Sequence, residues 1–472
     1  MKIGMFFEHQ LPRPWADGDE ERVLHEALEQ CELADRIGID TVWVVEHHFL
    51  EEYSHSSAPE VFLAAVSQRT TNLRLGHGIV QMPPAFNHPV RVAERVATLD
   101  LLSRGRVEFG TGESSSEAEL GGFGIEPADK RAMWREGLQV ALRAMTETPF
   151  TGHAGDYVTV PPRNVIPKPH QKPHPPVWVA CTRRDTIHLA AQLGIGALAF
   201  AFFDPEEAQH WVTDYYETLA AEGVPIGDAV NANVAAVTTF MCHDDEQEAL
   251  ARGTEGTNFF GYSLAHYYVF GRHRPGVTDV WAEYQRDRAE AGFDPSAVAA
   301  AAGDTDRLAA KAVKEAVGGL RGAVGTPEQV RDYLRRYEEY GVDQVILATQ
   351  AGNNRHEHVM ESLELFGREV LPEFIERDVE ASRAKAQRLE PVIEAVLARK
   401  PASDHPPLPD PDYEFPAIAR SIADRESSDS FHTWLDEYAR KAAAGEDVSR
   451  RLATARDTGE RRARSWRRHA RG

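Results

Sequence analysis

The chain has 472 residues, 42% of them hydrophobic and 27% charged, long enough for one large α/β barrel plus an extension and apolar enough to bury a sizeable core. A formal net charge of −22 excludes nucleic-acid binding by the body of the protein, because a phosphate backbone is attracted by clustered Lys and Arg. Cys31, Cys181 and Cys242 are too few and too scattered for a disulfide framework or a zinc knuckle, and neither a signal peptide nor an uncharged membrane-spanning run is present, so the expected setting is cytoplasmic, with no membrane contact.

From Ile3 onward, short β-branched or aromatic runs alternate with turns and helix-period stretches, the pattern of parallel βα units. Strands are predicted at 2–7, 41–45, 73–80, 107–110, 177–181, 197–202, 234–240 and 344–348. Eight such strands are the number that closes a (β/α)8 TIM barrel. Between the first two, Leu24, Ala27, Leu28, Cys31 and Ala34 form one apolar helix face, and Val359, Leu363, Phe366 and Val370 do the same after the last. Thr326-Pro327-Glu328 reads as a helix start, with Thr as N-cap and Pro in the first position, and Gly341 as the stop.

Three stretches exceed a minimal barrel. Residues 150–176, rich in proline with Gly152 and Gly155, read as a loop or hairpin excursion. Residues 259–317 read as an insertion that opens on Phe259, Phe260, Tyr262, Tyr267, Tyr268 and Phe270 and ends in an Ala-rich helical segment. The barrel is therefore assigned to 1–375, and 376–472 to a helical C-terminal extension with a Pro-rich linker at 401–416. The extension ends in an Arg-rich run around Trp466 that suits a solvated or subunit-contacting helix end, or a docking site for an anionic partner.

Chemistry is expected where strands end, since long loops at that face build barrel active sites. Glu46-His47-His48-Phe49 sits there on the second strand. An imidazole beside a carboxylate can handle protons near neutral pH, although a structural histidine fits the same place. Gly76-His77-Gly78 on the third strand would let a flat ligand or a backbone approach closely. The fourth ends in Gly110-Thr111-Gly112-Glu113-Ser114-Ser115-Ser116, which offers N–H and O–H donors to a phosphate. It lacks the third glycine of a dinucleotide fingerprint. The fifth leads into Cys181-Thr182-Arg183-Arg184-Asp185-Thr186 at a helix start, where a phosphate seat and a plain helix cap both fit.

Taken together these segments resemble the bacterial luciferase-like flavin monooxygenases over roughly residues 1–375. The likeness rests on the first strand, Gly38 to Trp43, the Glu46 tetrad, His88-Pro89-Val90-Arg91-Val92-Ala93-Glu94, Leu99-Asp100 with Ser103 to Arg106, and Val324 to Glu328. It implies non-covalent reduced FMN reacting with dioxygen through a flavin hydroperoxide to hydroxylate a small organic substrate or insert oxygen into it in Baeyer-Villiger fashion. His47 matches the family's catalytic histidine and Glu46 an acid near the flavin, with His48 beside them. Gly78-Ile79 falls where relatives carry a non-prolyl cis peptide beneath the ring. Glu113 stands where the luciferase α subunit has an arginine for the flavin phosphate. A lone carboxylate there would repel the phosphate, so Arg183 or Arg184 is expected to supply the charge, with Ser114 and Thr182 as hydroxyl donors.

No reductase module is evident, so a separate flavin reductase is the expected partner, and the resemblance alone suggests a homodimer. Phe6, Trp43, Phe49 and the aromatics near Tyr267 are candidate walls of an apolar pocket. Other readings keep the fold but use a deazaflavin for hydride transfer, bind flavin without catalysis, or hold a hydrolytic metal with His47, His48 and His77. The His47-His48 pair favours the flavin oxygenase, and no spaced His-x-His pair supports a metal on the first strand.

Overall fold

The computed structural model describes residues 1–200, 205–291 and 322–401, with isolated positions between 413 and 444. Strands β1 (Lys2–Phe7), β2 (Thr41–Val44), β3 (Arg74–His77), β4 (Val80–Gln81) and β5 (Val107–Gly112) are followed by a small hairpin of β6 (His153–Ala154) and β7 (Thr159–Val160). Then come β8 (Val177–Cys181), β9 (Gly196–Ala199), β10 (Val234–Cys242), β11 (Ala323–Gly325) and β12 (Gln344–Ala348). All pairings in the main sheet are parallel, in the ring order β1-β2-β3-β5-β8-β9-β10-β12 and back to β1. This is a closed barrel of eight strands, each where the alternation predicts it. Residues 201 and 202 of the sixth predicted strand lie outside the described residues.

The predicted run 73–80 is interrupted. At Gly78 the backbone N–H donates to the Val44 carbonyl at 2.7 Å, and the chain then resumes as β4, pairing with Thr111 and Gly112. Gly76 is demanded by packing, because a Cβ there would stand 2.3 Å from the Trp43 ring. The four cis peptide bonds among the described residues all precede proline, and Gly78–Ile79 is not among them.

Helices surround the ring: α1 (Asp19–Ile37), α2 (Pro59–Arg69), α3 (Pro89–Leu102), α4 (Glu117–Gly122), α5 (Lys130–Thr146), α6 (Arg184–Gln192), α7 (Pro205–Glu222), α8 (Glu246–Ala265), α9 (Val280–Ala291), α10 (Pro327–Glu339), α11 (His356–Glu369) and α12 (Leu371–Ala398). The apolar stripe predicted on α1 is buried at Ala27, Leu28, Cys31 and Ala34. Thr326 caps α10 through a reciprocal pair with Gln329, as its Thr-Pro-Glu start anticipates.

A large apolar layer joins strands to helices. A second cluster fills the barrel interior, where Trp43 and Trp178 meet edge to face at 5.4 Å. Their indole N–H groups donate to Gln344 Oε1 and Glu108 Oε2, as buried indoles require. This plug fills the barrel interior below the strand C-termini.

The 150–176 excursion is the β6/β7 hairpin. The aromatic group assigned to the start of the second insertion lies instead within α8, which begins at Glu246, and in a π-turn at His266–Phe270. The Ala-rich segment lies outside the described residues. The limit drawn at 375/376 falls inside α12, because Leu371, Phe374, Leu389 and Val396 are buried on one face of that helix while most of its charged residues are exposed. Contacts divide the chain at Pro406/Pro407. Nearly all of the linker and the Arg-rich tail lie outside the described residues. Among the described residues no helix is long and apolar enough to cross a membrane.

Candidate active site

A cavity of about 420 Å³ opens at the C-terminal ends of the strands, within the size range of small-ligand sites. Its lining includes Glu8 after β1, His47 after β2, Gly78, Ile79 and Gln81 around the break in the third strand, Glu113 to Ser115 after β5, and Thr182 and Arg183 after β8. Lys130, Arg131 and Trp134 of α5 complete one side, and Phe260, Leu264 and Tyr268 another.

His47 is held by two carboxylates. Its Nδ1 lies 3.0 Å from Glu119 Oε1 and its Nε2 lies 3.8 Å from Glu8 Oε2. Glu119, on the short α4, is fully buried and also accepts from the His48 backbone N–H at 2.9 Å and the Ser114 hydroxyl at 2.7 Å. Burial pushes the Glu119 pKa up, yet His47 and these hydrogen bonds prevail and hold it below the usual carboxylate value. Burial likewise opposes charge on His47, but Glu119 and then Glu8 overcome it and push the imidazole up to about 9. Near neutral pH His47 is therefore an imidazolium. Glu8 behaves oppositely: burial dominates and raises it to about 7, despite His47 and a hydrogen bond from Tyr53.

The opposite end is cationic. Glu113 is not isolated, since Arg131 donates to both of its carboxylate oxygens and Lys130 lies 3.7 Å away. Lys130 also donates to the Ser114 carbonyl at 2.6 Å. With Arg183 at the rim, three cations face this end against Glu113 and Glu117. Of the two arginines expected to supply charge here, Arg183 lines the cavity beside Lys130 and Arg131 of α5, with its Nε 3.4 Å from Asp185 Oδ1. Arg184 lies outside the cavity lining, on the outer surface, paired with Asp214 of α7 through both carboxylate oxygens.

Glu46 and His48 also lie outside the lining. Glu46 is buried, accepting from the Gln81 backbone N–H, Asn87 Nδ2 and His48 Nε2. It fastens the loop after β2 to the chain around β4, while His48 stacks on Phe86 at 5.9 Å. His77 is 1% exposed, edge-on to Phe109, and burial lowers it to about 4. Among the described residues no group of three or more His, Cys, Asp or Glu side chains has metal-binding geometry. Of the aromatic candidates, Phe6 lines the cavity, Trp43 belongs to the interior plug, Phe49 is 56% exposed, and of the group around Tyr267 it is Phe260 and Tyr268 that line the cavity.

Sequence reading passed over Glu8, Tyr53, Gln81, Glu119, Lys130 and Arg131. A signal existed for the two cations. They open α5, where the helix dipole disfavours positive charge, so a nearby anion was to be expected. For Glu119 the signal was weaker, a second acid two residues after Glu117.

The residues present fit a flat, phosphate-bearing group. Gly112 has no Cβ, and one built there would stand 2.5 Å from Ile79 Cδ1, so the floor is open only to glycine. Gln81 Oε1 is buried without a hydrogen-bond partner, an acceptor ready for a ring N–H.

Residues 1–344 match the family model described as luciferase-like monooxygenase. The chain is 32% identical over 248 residues to limonene 1,2-monooxygenase of Rhodococcus erythropolis, covering 51% of this chain and 60% of that one. It is 25% identical over 369 residues to the oxygenase component of flavin-dependent trigonelline monooxygenase of Acinetobacter baylyi, covering 77% and 94%. The matched stretches span 54% to 60% of the first three curated relatives. Among solved structures, the monooxygenase RslO1 of Streptomyces bottropensis superposes with a TM-score of 0.61 at 25% identity, over 79% of this chain and all of that one. The FMN complex of the oxygenating constituent of 3,6-diketocamphane monooxygenase from Pseudomonas putida (TM-score 0.58; 79% and 98% covered) and the F420-dependent tetrahydromethanopterin reductase of Methanopyrus kandleri (0.52; 79% and 99%) are each 21% identical and share the fold.

Proposed function

Since the chain belongs to the luciferase-like monooxygenase family, we propose that it is the oxygenase of a two-component system, using reduced FMN and dioxygen to oxygenate a small organic substrate. The observation that carries this is the pairing, across one cavity, of a carboxylate-held His47 with a cationic end. A flavin oxygenase needs a proton donor at one end and a phosphate seat at the other.

Lys130, Arg131 and Arg183 would hold the FMN phosphate, with the Ser115 and Thr182 hydroxyls beside them and Ser114 bracing Glu119. Gly78, Ile79 and Gly112 would form the floor under the ring, and Gln81 Oε1 would accept from a ring N–H. When bound, the reduced flavin supplies two electrons to dioxygen. His47, charged at neutral pH, would present its Nε2–H to the reacting end of the cavity as a proton or hydrogen-bond donor, while Glu119 fixes the ring through Nδ1. Glu46 and His48 act as positioning residues by fastening the loop that carries His47. Phe6, Phe200, Phe260 and Leu264 exclude water from the substrate end. Hydroxylation and Baeyer-Villiger insertion use the same arrangement, and the substrate's own functional group decides between them.

The reductase is a separate protein in this reading, which the word "component" in the name of the trigonelline relative supports. A cytoplasmic homodimer is the accompanying proposal. The test is rapid mixing of the protein, loaded anaerobically with reduced FMN, with dioxygenated buffer. A kinetic phase absent from free reduced flavin, quickened by substrate, is the expected result. Oxidation indistinguishable from that of free flavin sinks the oxygenase reading, and failure to bind FMN while binding a deazaflavin replaces it with hydride transfer.

A further inference from the structure

The cavity end remote from the cations is walled by Phe6, Tyr53, Phe200, Phe260, Leu264 and Tyr268. Tyr53 and Phe260 meet at 5.5 Å between centroids, and Phe6 and Phe200 at 5.3 Å. Such a wall accepts an apolar ring. Within it stands a carboxylate, Glu8, which is 2% exposed.

The two oxygens of Glu8 differ. Oε1 accepts from the Tyr53 hydroxyl at 3.0 Å, whereas Oε2 has no hydrogen-bond partner. His47 Nε2, 3.8 Å away, is beyond hydrogen-bond reach, and the ring is fixed from its other side by Glu119. A buried carboxylate oxygen left bare bears a desolvation penalty that native interiors relieve with a partner. This one borders a ligand-sized cavity.

We propose that Glu8 Oε2 selects the substrate by accepting a hydrogen bond from a phenolic hydroxyl or ring N–H on an aromatic ring seated against Tyr53 and Phe260. A cationic substrate is disfavoured, because it would stand against the imidazolium of His47. The groups facing Glu8 are His47, Tyr53 and Ser54 from the loop after β2, Glu119 from α4 and Tyr268 from the π-turn. Burial raises Glu8 to about 7, so it becomes acceptor-only, and donor binding strengthens, as the pH rises through that value.

The role in turnover rests on the oxygenase reading, but the binding test does not. Calorimetric titration of the full-length protein at pH 8 with p-cresol and p-xylene compares a hydroxyl with a methyl on the same ring. The expected result is at least about tenfold tighter binding of p-cresol, the order a charge-assisted hydrogen bond provides. Glu8→Leu brings the two ligands within about twofold. Glu8→Gln, isosteric and able to fold where Leu does not, keeps only a reduced preference that no longer varies between pH 6 and 8. Equal binding of both ligands to the native protein overturns the proposal. So does a Glu8→Leu protein that loses FMN binding while keeping its p-cresol preference, which would move Glu8 to the flavin. A native protein that discriminates the two ligands yet binds no FMN refutes the oxygenase reading and leaves the role of Glu8 as a donor-selecting site standing.

Discussion

His47 and Glu8 lie side by side and both hold their protons more tightly in the fold, Glu8 because burial raises it and His47 because Glu119 and Glu8 overcome burial. Each therefore contributes stability that is lost as the pH rises, over different ranges. The fold raises Glu8 from 4.5 to about 7, so the native state holds that proton more tightly than the unfolded chain. The resulting stability is complete below about pH 4.5, is lost between 4.5 and 7, and stays lost above. Glu8→Gln should therefore melt later than the parent at pH 8.5, by on the order of 1–3 kcal/mol, with the difference shrinking as the pH is lowered toward 5. Thermal melts across that range check it, and a constant difference would contradict a buried ionisation. His47 is raised to about 9 chiefly through Glu119. Its stability contribution is complete below its ordinary 6.5 and is lost as the pH rises through 9. Glu119→Gln should bring the His47 titration down by more than about one unit, read from its ring-proton chemical shift. An unmoved titration would remove Glu119 as the positioning residue.

At the scale of elements, short segments deliver the chemistry that the strands only aim. α5 starts with Lys130 and Arg131 facing the cavity, whereas α6 starts with Arg184 turned to Asp214 on its outer side. Replacing Lys130 and Arg131 together by Ala should weaken FMN binding by roughly ten- to a hundredfold while changing riboflavin binding little, because only FMN carries the phosphate. Arg184→Ala should leave both unchanged. Fluorescence titration separates the cases, and equal losses for FMN and riboflavin would take α5 out of the phosphate site. The strands, their order and the His47 loop were legible because each is written in local alternation. Glu8 and Glu119 were not. They reach His47 only when β1 and β2 pair and α4 folds back across the barrel mouth, and neither event leaves a mark in local spacing. The break at Gly78-Ile79 was hidden for a related reason, since two short strands separated only by Gly-Ile read as one continuous run.

For the molecule as a whole, closure of the ring between β12 and β1 brings Gln10 and Gln350 together, with the Gln10 backbone N–H donating to Gln350 Oε1 at 3.0 Å. The C-terminal part of the described chain is thus structural for the site. α12 extends this dependence. It packs on α7, α11 and β1, and Lys385 on its outer half donates to Asp343 and Asn233 at the foot of the barrel. Its charged composition made it read as an extension, but one-sided burial is what an outer barrel helix needs, and charge on the exposed side is compatible with it. A chain ending at Val370 would expose the partners of Leu371, Phe374, Leu389 and Val396, each of which contributes roughly 1.5–3 kcal/mol of burial when fully covered. That total rivals the net stability of an ordinary domain. Truncation before Leu371 should therefore yield insoluble or unfolded protein. Truncation after Pro406, where contacts divide the chain, should preserve the melting midpoint and FMN affinity of the full chain. Parallel melts and flavin titrations of the two truncations decide the point: a stable, flavin-binding protein ending at Val370 would make α12 an appendage, and loss of folding on removing 407–472 would make those residues part of the barrel's support.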